Sequence, residues 1–413
     1  MHEHLVAIIS QGCAANFGDG EKIARVLSAQ FRTTFSIPKD EVPVAFYLNV
    51  CTVKGNSGAL KLLREAHEAH PDAKLFVTGC APKDFREDAI KAVPSVQFTS
   101  LKELEQSQLS LAPSVLRASP FTGIVNIEEG CLDACAFCST HLVKGRLHSF
   151  AEDFIVEQVQ RLVSDGCKEI QLTGQDCGCY GFDTGTNLAL LVQKILVHVP
   201  GDYKLRLGMG NPRHVLTYTD ALLECFADDR IYKFIHVPVQ SGSEQILKAM
   251  NRRHTARDYA DLAQAFRKRF DKFTLSTDMI VGYPGESEDD FRDTLELLKE
   301  TRPTVCNITR FVPRPGTVAY NLNTTSMVDD AIKHKRSAEL AQAFQEIALQ
   351  NNRQWVGYEC DVVTEKCGHR SGTTIARNEA YNPVALQGDY EPGKKIRVRI
   401  TDAEPFALIA EPV

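Results

Sequence analysis

Six short apolar runs that alternate with helical patterns constrain the fold of this chain more than any other feature. The runs cover residues 123–127, 169–174, 204–208, 233–239, 274–282 and 305–311. Between them fall helical patterns over residues 151–165, 187–199, 255–268 and 287–300. Strands that alternate with helices form parallel sheets, so these six units predict a partial (βα)6 barrel or an open parallel sheet. Functional loops are then expected at the carboxyl ends of the strands.

The segment before this core has the same alternation on a smaller scale. Apolar β-type runs cover residues 5–10, 44–50 and 74–79. Amphipathic helical patterns lie around residues 20–30, 57–69 and 84–93. Buried parallel strands with helices between them predict a small α/β layer domain.

The segment after the core has a different character. A helical pattern over 328–353 leads into five short strand-like stretches, ECDVVTEK, GTTIAR, PVALQGD, KKIRVRITD and FALIAEPV. Strands at such even spacing are typical of a small antiparallel β-barrel of the oligonucleotide-binding kind. We therefore expect an α/β protein of three domains, at residues 1–112, 113–345 and 346–413.

Thirteen cysteines need an explanation, and the expected compartment limits the choices. The N-terminal stretch MHEHLVAIISQGC has too short an apolar run for a signal peptide, and no window is apolar over the ~20 residues that span a bilayer. We expect a cytoplasmic protein without a membrane partner. Because the cytosol keeps thiols reduced, clustered cysteines indicate metal or redox chemistry rather than disulfides.

Three cysteines are clustered in GCLDACAFC, where Cys131, Cys135 and Cys138 follow the first strand of the predicted barrel. One alternative is a buried helix face, but a loop is expected after a strand. A second is zinc, although structural zinc prefers four ligands and no fourth cysteine lies nearby. Three thiolates on a short loop suit a 4Fe-4S cluster with one iron left open for a ligand.

Three more cysteines end predicted strands of the N-terminal domain: Cys13 in SQGC, Cys51 in LNVC and Cys80 in VTGC. The carboxyl ends of parallel strands meet at one edge of a sheet, so these thiols can converge although they are far apart in sequence. We expect them to hold a second cluster with an open iron.

The spacing CxxxCxxC after a first barrel strand resembles the signature of the radical S-adenosylmethionine (SAM) enzymes. Together with the N-terminal cysteines, the chain resembles the methylthiotransferase family over nearly its whole length. Segments similar to that family include LTGQDCGCYG, HVPVQSGSEQILKAMNRRHT, TDMIVGYPGESEDDF and RPGT. The C-terminal barrel resembles the TRAM domain, an RNA-binding module.

The resemblance implies a reaction and its cofactors. The family converts a C–H bond to C–S–CH3 with two 4Fe-4S clusters and S-adenosyl-L-methionine. One SAM bound to the open iron yields a 5′-deoxyadenosyl radical, a second supplies the methyl group, and the auxiliary cluster delivers sulfur. Catalytic ligands of the first cluster would be Cys131, Cys135 and Cys138, and metal ligands of the second Cys13, Cys51 and Cys80. A reductant protein such as a flavodoxin or ferredoxin and a sulfur donor are implied as partners.

Polar residues at barrel strand ends are candidates for SAM contacts, because burying them without a partner is costly. They are Gln175, Asp176, Gln240 and Ser241. Two arginines that flank the last strand, Arg310 and Arg314, can meet the SAM carboxylate or an RNA phosphate, and a surface role is equally open.

The remaining cysteines lack a cluster pattern and are expected to pack in the interior. Cys177 and Cys179 stand apart, because they lie where the family usually has small or hydroxyl residues. Both a filler role and a role in sulfur relay or accessory ligation stay open for them.

An RNA partner is not obvious from the net charge of -6. From residue 351 onward, eight Lys and Arg stand against nine Asp and Glu. The strand KKIRVRI nevertheless places Lys395, Arg397 and Arg399 on one face, as a strand that tracks phosphates requires. A solvated strand face has the same pattern.

The resemblance also indicates a substrate. EEGCLDACAFCSTHLVKGRLHSF, LTGQD and LNVCTVK with Lys54 resemble the archaeal and eukaryotic branch, which acts on N6-threonylcarbamoyladenosine in the anticodon stem-loop of tRNA. That branch places the methylthio group at C2 of the adenosine beside the anticodon. Isopentenyladenosine in tRNA, an aspartate of a small-subunit ribosomal protein, another radical SAM activity such as methyl transfer, and a metal-stabilised RNA-binding protein without catalysis remain alternatives.

Overall fold

The computed structural model describes residues 4–52, 56–106, 116–322, 326–368 and 372–413. Lys54 and the expected domain boundary at residues 112 and 113 lie outside these ranges. Among the residues that the structure describes, no helix is both long and apolar enough to cross a bilayer.

The N-terminal part is a parallel sheet with helices on its faces. Its strands are β1 (Leu5–Ser10), β2 (Arg32–Thr34), β3 (Ala45–Cys51), β4 (Lys74–Cys80) and β5 (Gln97–Phe98). Its helices are α1 (Ala14–Leu27), α2 (Ser57–Ala69), α3 (Lys83–Ala92) and α4 (Leu101–Gln106). The strand order is β2-β1-β3-β4-β5, which confirms the α/β layer. The edge strands β2 and β5 were not predicted, because two or three residues are too few to show an apolar period.

The central part is an open barrel whose six strands agree with the six predicted runs. These are β6 (Thr122–Asn126), β9 (Glu169–Thr173), β10 (Lys204–Leu207), β11 (Phe234–His236), β12 (Thr274–Val281) and β13 (Val305–Arg310). The first three and the last three form parallel sheets, and a bridge between Leu205 and Ile231 joins the two. Between β6 and β9, the short strands β7 (Glu128–Glu129) and β8 (His148–Ser149) pair antiparallel around the cysteine loop.

Eight helices accompany these strands. They are α5 (Thr140–Lys144), α6 (Glu152–Ser164), α7 (Leu188–His198), α8 (Pro212–Val215), α9 (Thr219–Phe226), α10 (Glu244–Ala249), α11 (Ala256–Arg269) and α12 (Glu288–Thr301). Capping boxes explain where the last two begin: Thr255 with Asp258, and Ser287 with Asp290. None of α8, α9 and α10 was predicted, because helices of eight residues or fewer are too short to show a clear helical period.

The C-terminal part begins with the long helix α13 (Asp330–Arg353) and ends in a closed five-stranded barrel. The helix crosses the expected boundary at 345 and 346, and Ile347 and Ala348 still pack in the core of the central barrel. The strands are β14 (Glu359–Cys367), β15 (Thr373–Arg377), β16 (Pro383–Gln387), β17 (Lys395–Glu404) and β18 (Ala407–Pro412). Four of its five pairings are antiparallel as predicted, whereas β16 and β18 run parallel.

This C-terminal barrel docks on the amino-terminal ends of the central strands. Tyr381 inserts its ring between Tyr232 and Phe234, at centroid distances of 4.8 and 5.2 Å, and its hydroxyl donates to Oε1 of Glu169 at 3.1 Å. Thr274, the first residue of β12, donates to Oδ1 of Asn382 at 2.6 Å. Because the cysteine loop follows the carboxyl end of β6, the C-terminal barrel sits at the end of the central barrel opposite to the cysteines.

Candidate functional site

The structure brings the three N-terminal cysteines to one edge of the first sheet. Cys51 and Cys80 are register partners at the ends of β3 and β4. Cys13 precedes α1, and Gly12 before it has φ of 103°. A Cβ atom at Gly12 would lie 2.3 Å from Cβ of Cys51, so only glycine lets the Cys13 turn come this close. The expected convergence at this sheet edge is confirmed.

Buried amides fix the shape of this edge. Nδ2 of Asn16 donates to the backbone oxygens of Gln11, Asn49 and Val50 at 2.6, 2.9 and 3.2 Å. The side chain of Asn49 donates in return to the backbone oxygen of Asn16. These bonds tie the start of α1 to the end of β3, so Cys13 and Cys51 are held by rigid backbone.

Two of the thiols at this edge, Cys13 and Cys80, have a raised pKa because they are buried. Burial raises the pKa of Cys80 to about 12, although the ammonium of Lys144 opposes the shift. Metal ligation needs the thiolate, so a bound cation has to replace this proton. Lys144 is well placed to compensate the negative charge that results.

The cysteine loop of the central barrel is pinned from several sides. Gly130 donates its N–H to Oε1 of Gln175 at 2.7 Å. Its φ is 82°, and a Cβ atom added to Gly130 would lie 2.0 Å from the backbone oxygen of Arg146. Ala136 donates to the oxygen of Met250 at 2.9 Å and accepts from Ala319 at 2.8 Å. The loop is therefore held by residues that follow β9, α5, α10 and β13.

Asp133, inside this loop, attaches it to the start of α8. Its carboxylate is within 2.6 Å of Nδ2 of Asn211 and 2.8 Å of Nε2 of His214, and it pairs with Arg213. Burial alone would raise its pKa, but the hydrogen bond and charge of His214 and the charge of Arg213 lower it to about 2. Asp133 was not predicted from the sequence, although a carboxylate between two of the three cysteines was a signal for it.

Arg252 reaches one of the cysteine sulfurs. Its Nη1 lies 3.4 Å from Sγ of Cys135, and its Nη2 donates to the oxygen of Pro238 at 2.7 Å. Burial raises the pKa of Cys135 to about 11, and the charge and hydrogen bond of Arg252 oppose this shift. A guanidinium in this position stabilises negative charge on the sulfur.

The four expected SAM contacts have different surroundings. Asp176 is buried, and its Oδ1 accepts from the backbone of Gly178 at 3.1 Å and of Asn211 at 2.8 Å. Gln175 holds the start of the cysteine loop, as described. Gln240 is buried in the left-handed region with φ of 78°. The Oγ of Ser241 lies 3.2 Å from Oγ1 of Thr294 on α12.

A lysine that the sequence analysis did not single out connects the two cysteine groups. Nζ of Lys144, on α5, lies 2.8 Å from Oδ2 of Asp19 on α1 and 3.4 Å from Oε1 of Glu129. Asp19 also accepts from Nδ2 of Asn126 at 2.7 Å, at the end of β6. Burial by itself would lower the pKa of Lys144, but the charge of Asp19 outweighs this effect and raises the pKa. This network holds the first sheet against the central barrel.

The spacing of potential ligand atoms bears on whether one zinc ion could bind the expected cysteines. Among the described residues, the sets of three ligand atoms within 4.8 Å of one another are Cys131–Asp176–Cys179 and Asp133–Asp176–His214. Tetrahedral zinc, with Zn–S bonds of about 2.3 Å, brings thiolates to roughly 3.8 Å from each other. Neither expected cysteine trio is among the sets within 4.8 Å, so neither has the compact arrangement of a zinc site.

The basic face expected on β17 is present, but its charge is partly neutralised. Lys395, Arg397 and Arg399 are exposed on one side, while Val398 and Ile400 are buried on the other. All three cations pair with carboxylates of β14, with Lys395 at 3.2 Å from Asp361 and Arg399 at 2.6 Å from Glu359. These pairs were not predicted, because the sequence does not show which strands are neighbours.

The two arginines that flank the last strand of the central barrel have different surroundings in the structure. Arg310 is exposed at the end of β13. Burial lowers the pKa of Arg314, and the neighbouring Asp84 and Cys51 oppose the shift. Arg314 therefore lies beside the edge that carries Cys51.

Three protein families match successive parts of the chain. Uncharacterized protein family UPF0004 matches residues 5–100, the Radical SAM superfamily residues 125–298, and the TRAM domain residues 353–413. The chain is 34% identical to the probable threonylcarbamoyladenosine tRNA methylthiotransferase of Archaeoglobus fulgidus, over 98% of each chain. It is 30% identical to the threonylcarbamoyladenosine tRNA methylthiotransferase of Xenopus laevis, over 97% of this chain and 76% of that relative.

A solved structure supports the fold alone. The radical S-adenosylmethionine methyltransferase TsrM from Kitasatospora setae superposes with a TM-score of 0.54 over 77% of each chain, at 11% identity. The barrel architecture is thus shared with a radical SAM protein of different sequence.

Proposed function

The chain belongs to the threonylcarbamoyladenosine tRNA methylthiotransferase family of radical SAM enzymes, and from this we propose that it converts N6-threonylcarbamoyladenosine in tRNA to the 2-methylthio derivative. The observation that carries the proposal is the identity of 34% over 98% of both chains with an archaeal member. The convergence of both cysteine trios on sheet and barrel edges is consistent with it.

The cofactors follow from the family and the donor set. The match to the Radical SAM superfamily implies one 4Fe-4S cluster and SAM, which we assign to Cys131, Cys135 and Cys138. We propose a second 4Fe-4S cluster on Cys13, Cys51 and Cys80. When bound, the first cluster supplies the electron for reductive cleavage of SAM, and the second supplies the site from which sulfur is delivered.

The chain's own residues orient these ligands. Asp133 clamps the cysteine loop to Asn211 and His214, and Gln175 holds its first N–H. Lys144 and Asp19 fix the first sheet against the barrel, so the two cysteine groups keep a constant relative position. Such fixation matters because a reaction between two bound groups loses rate steeply when they are misplaced.

The four residues expected at SAM act in two ways. Gln175 and Asp176 follow β9 on the side of Cys131, where they can orient a ligand of the open iron. Gln240 shapes the left-handed turn after β11. Ser241 is a positioning residue, since its hydroxyl bonds to Thr294 and accepts from the N–H of Ser243 at 3.2 Å.

The separation of the two ends of the barrel favours a nucleic-acid substrate. The C-terminal barrel and the cysteines lie at opposite ends of strands such as β12, whose eight residues span about 26 Å at ~3.3 Å per residue. One substrate that contacts Lys395, Arg397 and Arg399 as well as the cysteine end must be long, as an anticodon stem-loop is. Reduction requires an electron-donor protein, for which a flavodoxin or ferredoxin is the proposed class, and a separate sulfur donor replenishes the second cluster.

The proposal is tested in cells. A host that lacks its own enzyme for this step and retains N6-threonylcarbamoyladenosine would be complemented with the chain or with its Cys131→Ala variant. The proposal predicts 2-methylthio-N6-threonylcarbamoyladenosine in tRNA hydrolysates of the first strain only. Methylthiolation of isopentenyladenosine or of a ribosomal protein instead would retain the reaction and reject the substrate.

A further inference from the structure

Two fully buried thiols lie beside the cysteine loop, and the proposed reaction uses neither. Cys177 and Cys179 form the ends of a single 3-10 turn after β9. Their surroundings differ. Sγ of Cys177 points into the barrel, 3.9 Å from the oxygen of Leu172. Sγ of Cys179 lies 3.2 Å from the oxygen of Asp176 and 3.8 Å from Oε2 of Glu128.

Cys179 also approaches a cysteine of the loop. The sulfurs of Cys179 and Cys131 and a carboxylate oxygen of Asp176 all lie within 4.8 Å of one another. Cys131 is partly exposed, whereas Cys179 is closed off from solvent. An exposed thiol backed by a protected one is the arrangement in which the second thiol captures an oxidised form of the first.

The distance between these sulfurs can be closed by small movements. A disulfide needs an S–S distance of about 2.05 Å, so the two atoms must approach by at most roughly 3 Å, within reach of side-chain rotation. Simple packing is the alternative account of a buried thiol, and it fits Cys177, whose sulfur faces Leu172. It does not explain why Cys179 faces a cysteine and two carboxylates.

We propose that, in the protein without its cluster, Cys179 is the resolving thiol for Cys131. A peroxide oxidises the Cys131 thiol to sulfenic acid, and one water is released. The thiol of Cys179 then attacks that sulfur, a disulfide forms, and the Cys179 proton leaves with the hydroxyl group as a second water. In total, two thiols are oxidised and one peroxide is reduced to two waters. A dithiol reductant reverses the step and returns Cys131 for cluster assembly.

The benefit is protection of a ligand that cannot be replaced. Without a resolving partner, sulfenic acid at Cys131 proceeds to sulfinic and sulfonic acid, which are not reversed by thiols. The disulfide would hold the oxidation at a reversible stage.

The nearest competitor is within the loop itself. Cys135 and Cys138 are three residues apart, and the N–H of Cys138 donates to the oxygen of Cys135 at 3.0 Å. A Cys135–Cys138 disulfide would leave both Cys131 and Cys179 free. Trypsin separates the two outcomes, because Cys131, Cys135 and Cys138 fall in residues 118–144, whereas Cys177 and Cys179 fall in residues 169–194.

The test uses metal-free full-length protein, prepared with a chelator under anaerobic conditions and treated with one equivalent of hydrogen peroxide. The proposal predicts a cross-linked pair of these two peptides, with fragmentation placing the bond between Cys131 and Cys179. An uncrosslinked mixture, or a bond confined to residues 118–144, would overturn it with no variant needed.

Variants then identify the resolving thiol. Cys179→Ser should abolish the cross-link and raise the sulfinic and sulfonic forms of Cys131 at least tenfold, whereas Cys177→Ser, the matched control in the same turn, should behave as wild type. After reduction, wild-type and Cys177→Ser protein should recover full iron binding, and Cys179→Ser should not. Equal oxidation in both variants would overturn the proposal. No tRNA or turnover is involved, so the cross-link is independent of the proposed function, whereas the recovery of iron rests on the cluster proposed for Cys131.

Discussion

The guanidinium of Arg252 lies directly against the sulfur of Cys135, with 3.4 Å between Nη1 and Sγ. Its second nitrogen is anchored on the oxygen of Pro238 at 2.7 Å, so the group cannot swing away without losing a hydrogen bond. Hydrogen bonds and positive charge at a cluster sulfur favour the reduced, more negative state. With the proposed cluster on Cys135, Arg252 would therefore make that cluster easier to reduce.

Replacing Arg252 should make the cluster harder to reduce. We expect Arg252→Met to lower the one-electron equilibrium constant for reduction about tenfold, which is a fall of about 59 mV in midpoint potential. Electron paramagnetic resonance during a redox titration of the reconstituted protein measures the midpoint potential. Arg253→Met, at the exposed neighbouring position, is the matched control and should leave the potential unchanged. Equal potentials for both variants would contradict a role for Arg252.

The cysteine variants should separate the two clusters. Cys131→Ala should abolish 5′-deoxyadenosine formation while iron remains at the N-terminal edge. Cys51→Ala should retain SAM cleavage and lose sulfur insertion. Iron content, electron paramagnetic resonance and product chromatography measure these outcomes. Loss of both clusters in either variant would mean that the sites are not independent or that folding depends on metal.

The pH dependence of stability should reveal the carboxyl group of Glu21 on α1. Burial raises its pKa to about 7, although hydrogen bonding from the N–H of Ala118 opposes the shift. The folded state therefore binds a proton more tightly than the unfolded state, so stability is lost as pH rises from about 4.5 to 7, and the full cost is present above pH 7. Glu21→Gln removes this cost and should stabilise the fold at pH 8 by up to about 3 kcal/mol, at 1.36 kcal/mol per pKa unit.

Thermal unfolding at two pH values checks this. The Tm of Glu21→Gln should exceed that of wild type at pH 8, and the difference should shrink toward pH 5. Glu68→Gln, an exposed position on α2, should show no such difference. A gain for Glu21→Gln that is the same at both pH values would refute the assignment.

Removing the carboxylates that neutralise β17 should strengthen tRNA binding. Glu359 and Asp361 pair with all three cations of the proposed RNA-binding face, at distances from 2.6 to 3.8 Å. In Glu359→Gln with Asp361→Asn, the cations are free to displace counterions from phosphates, so affinity should rise several-fold and fall more steeply with salt. The stability cost should be small, since exposed pairs contribute little.

Filter binding over a series of salt concentrations measures the affinity for tRNA and its dependence on salt. Asp389→Asn, an exposed carboxylate of the same barrel, is the control and should not change the slope. An unchanged slope in the double variant would show that tRNA does not contact this face.

The sequence predicted the parts of this molecule that depend on local period and on strand direction. Six barrel strands and the convergence of Cys13, Cys51 and Cys80 follow from apolar runs and from the rule that parallel strands end at one edge. Contacts between side chains distant in sequence could not be predicted, because no local pattern encodes them. The bond of Arg252 to Cys135 and the pair of Lys144 with Asp19 belong to this class. The contact of Ser241 with Thr294 also belongs to this class.

The most direct test of the central claim is mass spectrometry of nucleosides from tRNA incubated anaerobically with the reconstituted protein, SAM, sulfide and a reductant. The substrate is tRNA that carries N6-threonylcarbamoyladenosine, with tRNA that carries isopentenyladenosine in a parallel reaction. The account predicts loss of N6-threonylcarbamoyladenosine and gain of its 2-methylthio form, with no change in the second tRNA. Formation of 5′-deoxyadenosine without any change in N6-threonylcarbamoyladenosine would contradict it.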